Sequence, residues 1–194
     1  MMFSLGDLLM KCRRDGHLVD LPPQGKSGIE FKYLIENDIL YIFIYGTDSF
    51  FDWVFHFLVG WGVMSEIFYA SLLSKKIVSI LEHSGVTINK IIIMGHSLGG
   101  SIASLAKEEL IFLLAKQSKK GIYITSIGLG SKKPPYGILD ILYVNKGDIV
   151  PSLTPWRNGS YLKKFSLGKW RPFWIAHDLN MYEKNLKDIP VEYI

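Results

Sequence analysis

The chain has 194 residues and a mass of 22.1 kDa, with 48% hydrophobic, 13% aromatic and 21% charged residues, which suits one core-forming domain over residues 1–194 and excludes a disordered protein. Its one cysteine, Cys12, can form no internal disulfide and falls short of a structural zinc set, so stapled secreted scaffolds and zinc ribbons are excluded and neither metal nor cofactor is expected. The net charge of +4 is divided unevenly, −2 over residues 1–97 and +6 over residues 98–194, a pattern that suits either an anionic partner or a solvated basic face.

At the start, apolar Met1 to Met10 encloses Asp7 and is followed by Lys11, Arg13 and Arg14. A signal peptide carries its charges in the reverse order. No run free of charge reaches the length of a membrane span. The expected compartment is therefore the cytoplasm. From Gly28 to Tyr45, two apolar runs flank Glu36-Asn37-Asp38, predicting a hairpin. The second run, Ile39 to Tyr45, lacks alternation, as a strand buried on both faces would. Phe50 to Tyr69 is dense in large apolar side chains and reads either as a mobile lid or as a core helix, with Gly60 and Gly62 interrupting regular helix. Ile67, Ala70, Leu73, Ile77 and Ile80 then lie on one helical face.

Lys90 to Met94 predicts a central parallel strand, and Ile102 to Leu114 a helix that ends by Lys119-Lys120-Gly121. Ile122 to Leu129 and Ile138 to Val144 read as further interior strands. Strand, helix and strand in alternation predict an α/β fold with a mostly parallel central sheet flanked by helices.

Between strand and helix lies Gly95-His96-Ser97-Leu98-Gly99-Gly100, which fits the Gly-x-Ser-x-Gly nucleophile elbow. Small residues at −2 and +2 let the turn close tightly and project the serine hydroxyl. The N–H of Leu98, at the head of the helix, is placed to donate to an oxyanion. In the chain order Ser, acid, His, only His177 among the five histidines follows Ser97. Four acids lie between them. Glu108 and Glu109 fall within the helix, and Asp140 precedes or begins a strand, at the wrong end. Asp148 follows a strand at the carboxyl edge, where the active-site loops of such sheets gather. Asp178 is the fallback.

Tyr45-Gly-Thr-Asp-Ser49 with Asp52-Trp53, then Gly95 to Gly100, Asp148-Ile-Val-Pro151 and His177, in that order, resemble the class 3 (fungal-type) lipase family of α/β-hydrolases. The resemblance extends from about residue 28 to residue 182. It implies Ser97 as nucleophile, Asp148 as acid and His177 as base, with Thr47 and Leu98 forming the oxyanion hole. Tyr45 stands where the family usually has arginine, and Gly60-Trp61-Gly62 where a His-x-Gly-aromatic segment is expected.

From Trp156 to Trp174 there are five basic residues, six aromatics and no acid. Read plainly, this is a hairpin turned at Asn158-Gly159 that spaces Asp148 from His177. The same chemistry also suits peripheral contact with an anionic membrane surface, or stacking on single-stranded nucleic acid. The expected function is a serine ester hydrolase acting on a lipid or acyl ester, with lipid preferred to nucleic acid as partner. The alternatives are a phospholipase or thioesterase using the same triad, or an inactive binding module on the same fold.

Overall fold

A computed structural model describes residues 4–19, 29–45, 62–117, 121–154 and 158–191. Among these, seven strands form one sheet in the spatial order of the sequence: β1 (His17–Val19), β2 (Phe31–Glu36), β3 (Ile39–Ile44), β4 (Lys90–His96), β5 (Tyr123–Leu129), β6 (Ile138–Asn145) and β7 (Ser160–Leu167). The first two pairings are antiparallel, and β3 through β7 run parallel. The β2–β3 hairpin turns at Asn37 and Asp38, as expected, with Asn37 at φ 58°. Asparagine tolerates that left-handed conformation better than most residues.

Burial on both faces explains the unbroken apolar runs. Leu40, Ile42 and Ile44 of β3, with Ile91 and Ile93 of β4, pack beneath two helices, α2 (Gly62–His83) and α3 (Leu98–Lys116). The alternate residues Tyr41, Phe43, Ile92 and Met94 meet α1 (Leu5–Asp15) and α5 (Leu179–Asn185) on the other side. Helix α1 starts where the Ser4 hydroxyl accepts the N–H of Asp7, and Arg13 and Arg14 in its last turn suit the negative end of the helix dipole. Cys12 is fully buried on this helix, and burial pushes its thiol pKa up to about 12, which leaves it unreactive.

Helix α2 takes in the second part of the aromatic segment. Glu66, Tyr69 and Ala70 are buried, while Met64 and Phe68 are exposed. Residues Val63 to Tyr69 are thus part of a long packed helix; the earlier part of the lid candidate, from Phe50 to Trp61, lies outside the described residues.

The proposed hairpin at Asn158-Gly159 is corrected. Both N–H groups donate to the Pro134–Pro135 segment, at 3.2 Å from Asn158 to Pro135 O and 3.2 Å from Gly159 to Pro134 O. The chain thereby enters β7, which runs parallel to β6 and forms the edge of the described sheet. Asp140 is the third residue of β6, where it pairs with Lys107 at 2.5 Å and accepts from the N–H and hydroxyl of Ser126. Its role is structural. Among the described residues no helix is long and apolar enough to cross a membrane.

Candidate active site

Because β3 to β7 are parallel, their carboxyl ends share one edge of the sheet, and the turns after β4, β5 and β6 meet there. Ser97 stands between β4 and α3 at φ 54° and ψ −116°. A non-glycine residue in that region costs on the order of 1–3 kcal/mol and persists only where its surroundings impose it. The two glycines impose it here. A Cβ on Gly95 would stand 2.1 Å from both C and O of Gly99, and one on Gly99 would stand 2.5 Å from the Ile44 carbonyl oxygen. Ser97 is anchored through its own N–H, 3.0 Å from Leu129 O, and is 4% exposed. Leu98 follows at the helix N-terminus, where unpaired N–H groups and the dipole favour negative charge.

Asp148 lies three residues beyond β6, and its carboxylate is fully buried. Three donors address it. Val150 N–H reaches Oδ1 at 3.0 Å, while Tyr182 OH and His177 Nδ1 reach Oδ2 at 2.5 and 2.9 Å. An ionised carboxylate only accepts, so His177 donates through Nδ1, and in the neutral ring that tautomer leaves Nε2 with the lone pair. Gly130, at φ 55° after β5, makes room for the group: a Cβ there would lie 2.3 Å from Asp148 Oδ2 and 2.6 Å from the Tyr182 hydroxyl.

His177 caps the short helix α4 (Phe173–Ala176), and the two carbonyls flanking its Cα are held from neighbouring strands. Asn145 Nδ2, at the end of β6, donates to Ala176 O at 2.8 Å; His96 Nε2, at the end of β4, donates to His177 O at 2.8 Å. The His96 ring also lies against the His177 ring, with centroids 4.7 Å apart. Burial, followed by the nearby charge of His177, pushes the His96 pKa down to about 3, so this imidazole stays neutral. Burial, followed by the charge of Asp148, raises the Tyr182 pKa, so the phenol keeps its proton and remains a donor.

The structure therefore joins Asp148 to His177 directly and sets Ser97 one residue from the ring that lies on His177. Asp178, the fallback acid, instead caps α5 by accepting the N–H of Asn180. Thr47 lies outside the described residues. Sequence reasoning missed His96, Asn145, Tyr182 and Gly130. The only prior signal was the position of His96 inside the elbow motif.

A second buried polar group lies on the face of the sheet covered by α2 and α3. Glu66 of α2 is fully buried, pairs with Lys132 at 2.5 Å, and accepts from the Ser101 hydroxyl of α3 at 2.5 Å. It ties α2 and the turn after β5 to the first turns of the elbow helix. Another cavity, of about 570 Å³, lies at the opposite edge of the sheet between β1, β2 and the end of α2, and holds none of the candidate residues.

A mostly parallel sheet carrying a strained serine at a strand-to-helix elbow, with a buried Asp148 paired to His177 on the same edge, defines an α/β-hydrolase fold. Among solved structures the chain is similar to the native Rhizomucor miehei lipase propeptide complex, with TM-score 0.50 and 19% identity over 74% of this chain and 53% of that one. A crystal structure titled as fungal lipases gives TM-score 0.42 and 14% identity, over 69% and 56% of the two chains. The family model for lipase (class 3) matches residues 41–158, and the chain belongs to that family. It spans about half the length of the solved lipases it matches. No curated protein sequence matches it.

Proposed function

We propose that the chain is a serine ester hydrolase that cleaves a lipid or other acyl ester. The reading rests chiefly on one observation: the strained Ser97 elbow shares a sheet edge with a fully buried Asp148 hydrogen-bonded to His177. In this mechanism the Ser97 hydroxyl oxygen bonds to the ester carbonyl carbon as His177 Nε2 takes its proton. Asp148 orients the imidazole and stabilises its positive form. The Leu98 N–H stabilises the tetrahedral oxyanion, and Thr47 joins it by the family resemblance. Collapse breaks the carbon–oxygen bond to the leaving alkoxide, which receives the proton from His177. Water then repeats the sequence to free the acid and restore Ser97.

Family membership supports a lipid ester as substrate. The test is a panel of short- and long-chain esters, a thioester and a phospholipid, assayed with the parent protein and with Ser97→Ala. Hydrolysis of a carboxylic ester that disappears in Ser97→Ala is expected. Turnover of the thioester or phospholipid alone would reassign the substrate while keeping the triad. Undiminished turnover by Ser97→Ala would remove the mechanism.

A further inference from the structure

Beyond β7 the chain folds back over the turn that carries Asp148. Lys146 N–H donates to Leu167 O at 3.0 Å, and Arg171 N–H donates to Lys146 O at 3.0 Å. The loop so fixed, together with α5, encloses a cavity of about 300 Å³ lined by Gly168, Lys169, Arg171, Met181, Lys184 and Asn185. Three of the six lining residues are cationic and none is acidic. All three cations are exposed, and among the described residues none forms an ion pair with a carboxylate. Asn185 is committed elsewhere through Nδ2, which donates to Asn145 Oδ1 at 2.8 Å.

Like charges gathered around one concavity repel each other unless an anion enters it, and guanidinium and ammonium groups suit phosphate oxygens. A free phosphate would need nothing more. The segment that follows β7 carries more: Trp170 is 72% exposed and Trp174 is 68% exposed. Exposed tryptophans with basic neighbours are the side chains that settle at a bilayer interface. Residues 149 to 177 contain no acid to oppose an anionic surface.

We propose that this cavity binds the phosphate headgroup of an anionic phospholipid in a bilayer, with Lys169, Arg171 and Lys184 taking the phosphate and Trp170 and Trp174 entering the interface. Trp174 stands three residues before His177, and the Lys146 turn leads into Asp148. The docked membrane therefore meets the protein beside the candidate active site. The proposal rests on the hydrolase reading only for its purpose, because docking itself needs no catalysis.

The experiment uses the full chain carrying Ser97→Ala, so that vesicle binding is read without turnover. Co-sedimentation is measured with neutral phosphatidylcholine vesicles and with vesicles containing anionic phosphatidylserine. Binding to the anionic vesicles that falls with added salt is expected. Each cation near an anionic leaflet is worth about fivefold, so the triple variant Lys169→Gln, Arg171→Gln, Lys184→Gln should bind roughly a hundredfold less tightly. A second variant, Trp170→Ala with Trp174→Ala, keeps every charge and should also weaken binding. Lys75→Gln with Lys76→Gln, exposed on α2, should leave binding nearly unchanged. An equal loss in that control, or full binding by the triple variant, would overturn the site. Titration with inorganic phosphate separates the two sources of the anion: phosphate binding that depends on the three cations, without vesicle binding, would overturn the bilayer assignment.

Discussion

Two fully buried carboxylates, Glu66 and Asp148, are stabilised in different ways. Glu66 faces a permanent cation, Lys132, and a hydroxyl from Ser101. Among the described residues Asp148 accepts from a tyrosine hydroxyl, a backbone N–H and His177 Nδ1, and pairs with no lysine or arginine. A carboxylate already neutralised by lysine has little field left to offer a third group. One held by a hydroxyl and a backbone N–H keeps its negative charge available to an imidazolium forming beside it. The difference suits Glu66 to tying helices together and Asp148 to the orienting role the proposed mechanism gives it.

The sharpest separation comes from Asp148→Asn. The amide preserves shape but removes the charge and favours the wrong imidazole tautomer, and in comparable triads that costs about 10⁴ in kcat. A loss of that order in ester turnover, with the melting temperature shifted far less than by the change at Glu66, is the expected outcome. Glu66→Ala should behave in the opposite sense. Breaking a buried ion pair costs about 3–5 kcal/mol, on the order of 10 °C in Tm for a chain of this size, while the protein that remains folded should still turn over ester. Calorimetry and initial rates on the two variants distinguish these roles.

Smaller effects resolve the surroundings of Asp148. Tyr182→Phe removes one donor from the carboxylate and leaves the Asn145 N–H, 3.1 Å from the tyrosine oxygen, without its acceptor. A loss of about 2 kcal/mol in denaturant unfolding is expected. His96 gives a pH signature. Its folded pKa, about 3, lies below the ordinary value of 6.5, so between those values the unfolded chain binds a proton that the folded chain does not. Its contribution to stability is therefore fully present above pH 6.5 and is lost as pH falls toward 3, by up to about 1.4 kcal/mol per pH unit. His96→Gln should flatten the acid limb of the stability profile by about one proton.

The sequence made these two regions legible to different degrees. Ser97 was readable because an elbow is a local device: a strand, small residues two positions away on either side, and a helix. Asp148 and His177 followed from chain order and from the rule that parallel strands deliver their loops to one edge. The tie between Glu66 and Lys132 spans elements that no local pattern connects, and nothing in a sequence window indicates which lysine meets which glutamate. His96, Asn145 and Tyr182 escaped for the same reason, since each acts through hydrogen bonds to residues more than thirty positions away. Asn158-Gly159 misled because its composition suits a tight hairpin, while the Pro134–Pro135 segment takes both of its N–H groups and feeds the chain into a parallel edge strand. The uneven charge of the C-terminal half was visible from the start; that three of its cations line one cavity became visible only in the fold.

In the proposed mechanism His177, held by Asp148, activates Ser97. Labelling of the folded protein with a fluorophosphonate, with the adduct located by peptide mass spectrometry, tests it most directly. The expected result is a single adduct on Ser97 that forms orders of magnitude more slowly in His177→Ala. A folded protein that takes no label at Ser97, or labels there equally fast without His177, would contradict it.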